Sequence, residues 1–323
     1  KLCRLAREKL GSRNGAAALY NYRTGELLCM VSTPDFDPDS PPKDIDTNPA
    51  YKGAYFNKVI SSTFTPGSIF KLVTSAAAIE NIPDLDSRTW NCNGSITING
   101  NRITDVAPYG RLTFRQALAH SSNVAFSQIA IEVGASKMMD EASTMGFGRS
   151  FTLGSIHSAA SNYNVKSVSE DQLGWSGVGQ YTDLVNPYHY LVLMGAIANG
   201  GQPLMPYMIK NITTPVGITS KVGTATLGGS LIQSSTAARL KDYMRYNVSH
   251  EYGDSLFPGL DVCAKTGTGE VGHGKGPNCW MAGFSSNENT PYAFVVLVEN
   301  SSSGSVSSAG RIASSLMKAA AGS

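Results

Sequence analysis

The sequence has 323 residues, of which 41% are hydrophobic and 15% charged, with 26 Lys and Arg against 24 Asp and Glu. This composition supports a large core and excludes a disordered chain, while the balanced charge excludes a protein that binds nucleic acid through a basic surface. The longest apolar runs, such as residues 293–298, are strand-sized, far short of the roughly 20 residues that span a bilayer. Five cysteines without a Cys-x-x-Cys pair exclude a zinc ribbon and a disulfide-rich scaffold.

Apolar periodicity and turn residues predict a series of helices and strands along the chain. Arg23-Thr24-Gly25 is typical of a hairpin turn between two strands, and the Pro- and Asp-rich residues 34–49 predict an extended loop. The predicted helices are 1–10, 68–80, 114–133, 186–199, 235–247 and about 308–321, and the predicted strands are 16–22, 26–32, 262–268, 279–284 and 291–299.

Strands at both ends of the chain, with helices between them, predict an α+β fold. We expect one antiparallel sheet built from residues 15–32 and 262–299, because a terminal hairpin needs partner strands to be stable in water. Helices flank this sheet, the C-terminal helix among them, and residues of about 65–250 form a helical subdomain. Residues 1–14 are interpreted as the remnant of an N-terminal linker or helix, and residues 15–323 as a single domain.

Two of the cysteines, Cys263 and Cys279, lie on neighbouring predicted strands. If these strands pair around the Gly-rich loop 269–278, Cys263 faces Phe284 and Cys279 faces Thr268. Each residue advances a strand by about 3.4 Å, so the two Cα atoms are separated by far more than the ~7 Å that a disulfide allows. We therefore predict that both cysteines are free thiols.

The pattern Ser-x-x-Lys occurs three times, and one occurrence fits a catalytic pair. A Ser that opens a helix lies one turn from such a lysine, which can accept the Ser proton if burial disfavours its charged form. Ser40 is followed by two prolines and cannot open a helix, and Ser315 lies inside the terminal helix, where a solvated polar pair is the simpler interpretation. Ser68 and Lys71 follow a Pro-Gly turn and begin an apolar helix, although a Ser N-cap beside a surface lysine also explains them.

A second motif, Ser121-Ser122-Asn123, lies near a predicted helix start. A hydroxyl and a carboxamide two positions apart can relay a proton and bind a peptide group. Local hydrogen bonding at the helix end explains the same residues without any catalytic function.

A third motif, Lys265-Thr266-Gly267-Thr268, lies on a predicted strand. Glycine is unfavourable inside a strand unless another group must approach the backbone closely. The lysine and threonines beside it suit a substrate carboxylate, and an ordinary edge strand is the alternative interpretation.

The three motifs occur in the order Ser-x-x-Lys, Ser-x-Asn, Lys-Thr-Gly, as in penicillin-binding proteins and class A β-lactamases. Over nearly its whole length the chain resembles the transpeptidase domain of a penicillin-binding protein, and its details favour the monofunctional class B branch. The segments that carry the resemblance are the opening hairpin and loop 15–38, the nucleophile segment 64–71, the second motif 111–126, a later segment 177–201 and the third motif with its neighbouring strand 265–284.

The resemblance implies a serine acyl-transferase that cross-links peptidoglycan and is inhibited by β-lactams. Ser68 would attack the D-Ala-D-Ala peptide of a stem, release D-Ala and pass the acyl group to an amine of a neighbouring stem. The implied catalytic roles are proton acceptor for Lys71, proton shuttle for Ser121, and catalysis together with carboxylate binding for Lys265. The resemblance also implies that Asn123, Thr266, Gly267 and Thr268 bind the substrate. The backbone N–H groups of Ser68 and Thr268 would form an oxyanion hole.

No metal or other cofactor is expected, since the five histidines, His273 among them, are scattered singly. The resemblance implies as partners the stem peptides of lipid-linked or nascent glycan strands, β-lactam antibiotics, and a membrane glycosyltransferase that works with the full-length protein. It places the domain on the extracytoplasmic face of a bacterial cell membrane, with its anchor outside this sequence.

Two other functions stay open: a serine β-lactamase, which hydrolyses the same acyl-enzyme rapidly, and a non-catalytic receptor domain that β-lactams acylate.

Overall fold

A computed structural model describes residues 1–272 and 274–322; His273, one of the scattered histidines, and Ser323, the last residue of the predicted domain, lie outside the described residues. The helices are α1 (Leu2–Leu10), α2 (Lys58–Ser61), α3 (Lys71–Asn81), α4 (Phe114–Ala119), α5 (Asn123–Val133), α6 (Ala135–Thr144), α7 (Glu170–Gly177), α8 (Pro187–Ala198), α9 (Ser234–Asn247) and α10 (Arg311–Ala321). The strands are β1 (Gly15–Asn21), β2 (Leu27–Thr33), β3 (Thr89–Cys92), β4 (Ser95–Ile98), β5 (Asn101–Thr104), β6 (Gly110–Thr113), β7 (Thr152–Leu153), β8 (Ile156–His157), β9 (Asn211–Thr213), β10 (Thr219–Val222), β11 (Val262–Gly269), β12 (Asn278–Ser285) and β13 (Tyr292–Val298).

The main antiparallel sheet takes its strands from both ends of the chain. Within the described residues its strand order is β11, β12, β13, β1, β2. Strand β1 pairs with β13, with Gly15 opposite Val298, and with β2 on its other side. The predicted α+β fold, with residues 15–32 and 262–299 in one antiparallel sheet, is therefore confirmed.

Both faces of this sheet are buried, since successive side chains of a strand point to opposite faces. On β1, Ala16, Ala18 and Tyr20 pack in a large core with α3, α5 and α8, whereas Ala17 and Leu19 pack in a second core with α1 and α10. The sheet thus lies between the terminal helices and a thicker helical layer. In the described part of the chain, no helix has both the length and the apolarity needed to cross a bilayer.

The predicted helix over 114–133 is wrong, because two helices, α4 and α5, replace it. Ser121 has a φ of +59°, which a residue inside a right-handed helix cannot adopt without strain. Ser122 then caps α5 by accepting a hydrogen bond from the N–H of Ala125. The break removes Ser121 from helical geometry and leaves its side chain in a cleft.

The helix predicted over 68–80 also begins differently. Gly67–Phe70 forms a single 3₁₀ turn, and α3 starts at Lys71. Ser68 therefore lies in the turn that leads into the helix, and Lys71 is the first residue of the helix itself.

The sequence did not predict the short strands β3 to β10, which have only two to four residues each. Such strands are too short to show a periodicity. The register predicted for β11 and β12 is confirmed, with Cys263 opposite Phe284 and Cys279 opposite Thr268. Both cysteines are free thiols, as predicted.

Candidate active site

A cleft of about 260 Å³ lies between the edge strand β11 and the helical layer. It brings the three motifs together, although Ser121 and Lys265 are 144 residues apart in sequence. Its lining residues are Ser68, Thr104, Val106, His120, Ser121, Asn123, Trp175, Val178, Gln180, Thr266, Gly267, Thr268 and Glu270.

Ser68 is positioned by direct packing of its own backbone segment on β11. Gly67 has a φ of +54°, and a Cβ atom there would lie 2.2 Å from the carbonyl oxygen of Thr268. A Cβ atom at Gly267 would lie 2.5 Å from the carbonyl oxygen of Pro66. The glycine inside this strand is thus required because the nucleophile segment approaches the backbone closely.

Two hydrogen bonds fix the same segment. The N–H of Gly67 donates to the carbonyl of Gly179 at 2.9 Å, and the indole N–H of Trp280 donates to the carbonyl of Thr65 at 3.0 Å. Because Trp280 is fully buried in the main sheet, this second bond ties the segment to a rigid part of the core.

Lys71 is fully buried, and its amine points at the second motif. Nζ lies 2.6 Å from the carbonyl oxygen of Ser121, 2.8 Å from Oδ1 of Asn123 and 3.3 Å from Oγ of Ser121. Burial lowers the pKa of Lys71 well below its ordinary value, and the positive charge of Lys265 lowers it further. A neutral amine can satisfy the two shorter contacts with its two N–H groups and keep a lone pair to accept a proton.

Lys265 is also buried and approaches the same serine from β11. Its Nζ donates to Oγ of Ser121 at 2.9 Å and to the carbonyl of Thr266 at 3.1 Å. Burial lowers the pKa of Lys265 to about 7, against the opposing effect of the Glu251 carboxylate. The Ser121 hydroxyl therefore lies between two amines, an arrangement that can relay a proton.

The loop of the second motif is fixed by a neighbouring carboxylate that sequence reasoning missed. Asp105 accepts hydrogen bonds from the Ser122 hydroxyl at 2.8 Å and from the N–H of Val124 at 3.0 Å. Asn123 donates from Nδ2 to the carbonyl of Thr104 at 2.8 Å, so that its Oδ1 is turned toward Lys71. No pattern marks Asp105, because it acts on an α-helix start that lies 19 residues further along the chain.

In the described part of the chain, the Ser68 hydroxyl has no hydrogen-bond partner. Ser68 is partly exposed and lines the cleft, whereas the Lys71 amine is bonded to the second motif. Catalytic hydrogen bonds are often loose in a free enzyme and shorten when substrate binds. The unpaired hydroxyl is therefore accessible to a ligand.

The two threonines of the third motif contact residues outside the motifs. The Thr266 hydroxyl lies 3.1 Å from Oη of Tyr252, and the Thr268 hydroxyl lies 3.0 Å from Oγ of Ser305. Gln180 donates from Nε2 to the carbonyl of Thr268 at 3.4 Å. Tyr252 and Ser305 were not predicted, since each acts through isolated hydrogen bonds, 14 and 37 to 38 residues away along the chain, that leave no pattern in the sequence.

The other Ser-x-x-Lys occurrences do not form such a site. Ser40 lies in a bend of the loop 34–49, and the Ser315 hydroxyl bonds the carbonyl of Arg311 in its own helix at 2.9 Å. Across residues 1–272 and 274–322, no group of three or more His, Cys, Asp and Glu side chains could hold a metal ion.

A family model described as the penicillin binding protein transpeptidase domain matches residues 15–318. The chain is 28% identical over 315 residues to the peptidoglycan D,D-transpeptidase PbpA of Mycobacterium tuberculosis, covering 90% of this chain and 62% of that protein. It is 31% identical over 155 residues to the peptidoglycan D,D-transpeptidase FtsI of Escherichia coli, covering 48% of this chain and 25% of that protein. The chain thus spans less than two thirds of the length of these relatives.

Solved structures of similar proteins have the same fold. The imipenem acyl-enzyme complex of penicillin-binding protein A from M. tuberculosis superimposes with a TM-score of 0.88 at 25% identity, over 99% of this chain and 76% of that chain. The D,D-transpeptidase domain of a peptidoglycan glycosyltransferase from Eggerthella lenta gives a TM-score of 0.85 at 25% identity, over 99% of this chain and 80% of that chain.

Proposed function

Because the chain belongs to the penicillin-binding protein transpeptidase domain family, we propose that it cross-links peptidoglycan stem peptides through an acyl-enzyme on Ser68. β-Lactams would acylate the same serine. One observation carries the proposal: Ser68 lines the same cleft as Ser121, and the Ser121 hydroxyl is shared by two buried amines whose pKa values are lowered.

In the acylation step, Ser68 Oγ attacks the carbonyl carbon of the penultimate D-Ala while Lys71 accepts the hydroxyl proton. The backbone N–H groups of Ser68 and Thr268 stabilise the oxyanion of the tetrahedral intermediate. The C–N bond then breaks, and the leaving D-Ala amine takes a proton relayed from Lys71 through Ser121. Lys265, bonded to the Ser121 hydroxyl, keeps that hydroxyl in line for the transfer.

In the transfer step, an amine of a neighbouring stem attacks the ester carbon of the acyl-enzyme. The relay runs in reverse, so that the incoming amine loses a proton and Ser68 Oγ regains one as the C–O bond breaks. The products are the new amide and the free enzyme, which balances atoms and charge without a cofactor.

Substrate binding uses the remaining residues of the motifs. Asn123 binds a substrate amide, and Lys265, Thr266 and Thr268 bind the terminal carboxylate. Gly267 leaves room for the nucleophile segment and so keeps Ser68 beside these groups.

The cellular setting follows from the substrate. Peptidoglycan stems are joined on the extracytoplasmic face of a bacterial membrane, so the domain works there, anchored by a segment outside this sequence. A membrane glycosyltransferase that supplies glycan strands is the expected partner of the full-length protein.

The proposal is tested by intact-mass analysis after incubation with benzylpenicillin. We expect one adduct on the wild-type chain, none on Ser68→Ala and an undiminished adduct on Ser315→Ala, the serine of another Ser-x-x-Lys. An adduct that survives in Ser68→Ala contradicts the assignment of the nucleophile.

A second measurement separates the three functions that share this acylation. A transpeptidase converts a stem-peptide mimic and an added D-amino acid into an exchanged peptide, and it loses its penicillin adduct slowly. Rapid hydrolysis of the adduct without peptide exchange would identify a β-lactamase. A stable adduct with no turnover of the stem peptide would identify a receptor domain.

A further inference from the structure

The segment that follows α9 covers the outer edge of β11 up to the cleft. An uncovered edge strand offers its free N–H and C=O groups to any extended ligand. Three side chains of residues 245–252 bond successive outward-facing peptide groups: Arg245 to the carbonyl of Val262, Asn247 to the carbonyl of Ala264 and Tyr252 to the N–H of Thr266, each at 3.1 Å. Tyr252 makes the last of these contacts, at Thr266, the first residue of β11 that lines the cleft.

The contact between Tyr252 and Thr266 has a defined proton arrangement. Oη of Tyr252 accepts the N–H of Thr266 at 3.1 Å and lies 3.1 Å from the hydroxyl of the same residue. Burial raises the pKa of Tyr252, so the phenol keeps its proton, and the acceptor it reaches is the Thr266 Oγ1. A phenol also donates more readily than an aliphatic hydroxyl. The Thr266 hydroxyl therefore accepts from Tyr252, and its own proton is free to point elsewhere.

Thr268 has the opposite arrangement. The Ser305 hydroxyl donates to the carbonyl of Gly267 at 2.6 Å and has no second proton to give. In its 3.0 Å contact with Thr268, Ser305 must therefore accept, and Thr268 must donate. In the free protein, the hydroxyl proton of Thr268 is already donated to Ser305, whereas the hydroxyl proton of Thr266 is available to a ligand in the cleft.

We propose that Tyr252 is a positioning residue that orients the Thr266 hydroxyl as the donor to a substrate carboxylate. The inference rests on the proposed function, because it concerns how the same site recognises the carboxyl end of its substrate. Tyr252 touches no reacting atom and acts through Thr266, whose backbone carbonyl is bonded on its other side by Lys265 at 3.1 Å.

The turn that carries Tyr252 is held by contacts other than its hydroxyl. Val248 is buried in the second core, and the Glu251 carboxylate lies 3.0 Å from Nδ1 of His120. Tyr252→Phe should therefore leave the turn in place and remove only the hydroxyl. The Thr266 hydroxyl then loses the donor that sets its direction.

The test compares a penicillin that has its free carboxylate with the methyl ester of the same penicillin. In Tyr252→Phe, we expect the second-order acylation rate constant for the carboxylate form to fall about tenfold, the loss of one charge-assisted hydrogen bond, while that for the ester stays unchanged. Tyr246→Phe, a change in α9 at a tyrosine that stacks on His250, is the matched control and should alter neither rate. An equal fall for both compounds, or no fall for either, would overturn the proposal.

Two further measurements separate this inference from the proposed function. In a Thr266→Val background, Tyr252→Phe should cause no additional loss of selectivity, since its effect passes through the missing hydroxyl. In a Ser68→Ala background, NMR titration with acetyl-D-Ala-D-Ala and with its C-terminal amide measures carboxylate preference without acylation. Tyr252→Phe should lower that preference about tenfold, and an unchanged preference contradicts the role of Tyr252 even if Ser68 is not the nucleophile.

Discussion

A buried titratable group lies at each end of α3: Lys71 is its first residue, and Glu141 of α6 lies beside its last turn. At the first residue of the helix, Lys71 is buried near Lys265 and contacts Ser121 and Asn123, which line the cleft. Near its last turn, Glu80 lies beside Glu141 of α6, which is buried away from any of the motifs. In both places burial and a like charge favour the neutral form of one group.

The difference is what the neutral group can reach. The Lys71 amine lies 3.3 Å from the hydroxyl of Ser121, which lines the cleft, so that its lone pair can take part in chemistry there. Burial, with the charge of Glu80 adding to it, raises the pKa of Glu141 to about 7, but Glu80 bonds Thr236 of α9 at 3.0 Å and this cluster has no motif beside it. A shifted pKa therefore marks a candidate catalytic group only where a ligand has access to it.

Removing the Lys71 amine, at the start of α3, should have the largest effect on the rate of acylation. Lys71→Ala is expected to lower the rate constant of penicillin acylation at least ~10²-fold, because the proton acceptor is lost, while the fold is retained. The measurement is intact-mass kinetics, with circular dichroism to check folding. Lys318→Ala, the lysine of another Ser-x-x-Lys, is the control and should acylate normally. A rate near that of the wild type for Lys71→Ala would mean that the base lies elsewhere.

The other end of α3, where Glu80 lies beside Glu141, should affect the free energy of unfolding and its dependence on pH. Since the pKa of Glu141 is raised in the folded state, the folded protein binds more protons than the unfolded chain between about pH 4.5 and 7. The contribution of Glu141 to the free energy of unfolding should therefore be largest below this range and fall by about 1 to 3 kcal/mol as pH rises through it. Chemical denaturation at several pH values measures this slope.

Glu141→Gln carries no titratable proton and should reduce that pH dependence by the contribution of Glu141. Its acylation rate constant at one pH should match that of the wild type, because the residue is remote from the cleft. If the free energy of unfolding of this variant depends on pH as in the wild type, or if the variant loses acylation, the distinction between the two ends of α3 is wrong.

The third test concerns the position of the nucleophile segment beside Lys71 rather than the amine itself. Gly67→Ala and Gly53→Ala both place a side chain at positive φ, which costs each about 1 to 2 kcal/mol. A Cβ atom at Gly67 also meets the Thr268 carbonyl, whereas one at Gly53 meets nothing within 4 Å. Acylation should fall about tenfold in Gly67→Ala alone, since a small displacement of a nucleophile costs at least that much. Equal acylation rates in the two variants would contradict the importance of this contact.

The sequence predicted the elements that have a regular apolar pattern or that begin or end at a proline or glycine. Asn186-Pro187 marked the start of α8, and the turn at Gly25 marked the hairpin of β1 and β2. The third motif was placed on the correct strand in the correct register, because apolar alternation and a Gly-rich loop define that hairpin locally.

Features that depend on distant contacts were not predictable in the same way. The break between α4 and α5 has no Gly or Pro, and Ser121 takes its positive φ because surrounding groups, such as the two lysines, bond it there. Asp105 and Tyr252 likewise act through side-chain hydrogen bonds to residues that lie 14 to 19 positions further along the chain. One hydrogen bond leaves no periodicity, so only the folded structure identifies such residues.

The strand order of the main sheet has a consequence for how the protein is made. Gly67, which precedes Ser68, packs on the backbone of Thr268, and β1 lies between β2 and β13, which is among the last segments to be synthesised. Contacts of such long sequence separation form slowly, because a large loop must close before they give any stabilisation. A chain that stops before β11 has the serine and Lys71 but no strand on which to pack them. Partial translation products are therefore expected to lack acylating activity, and the cell obtains the reactive serine only in a chain whose synthesis has passed β13.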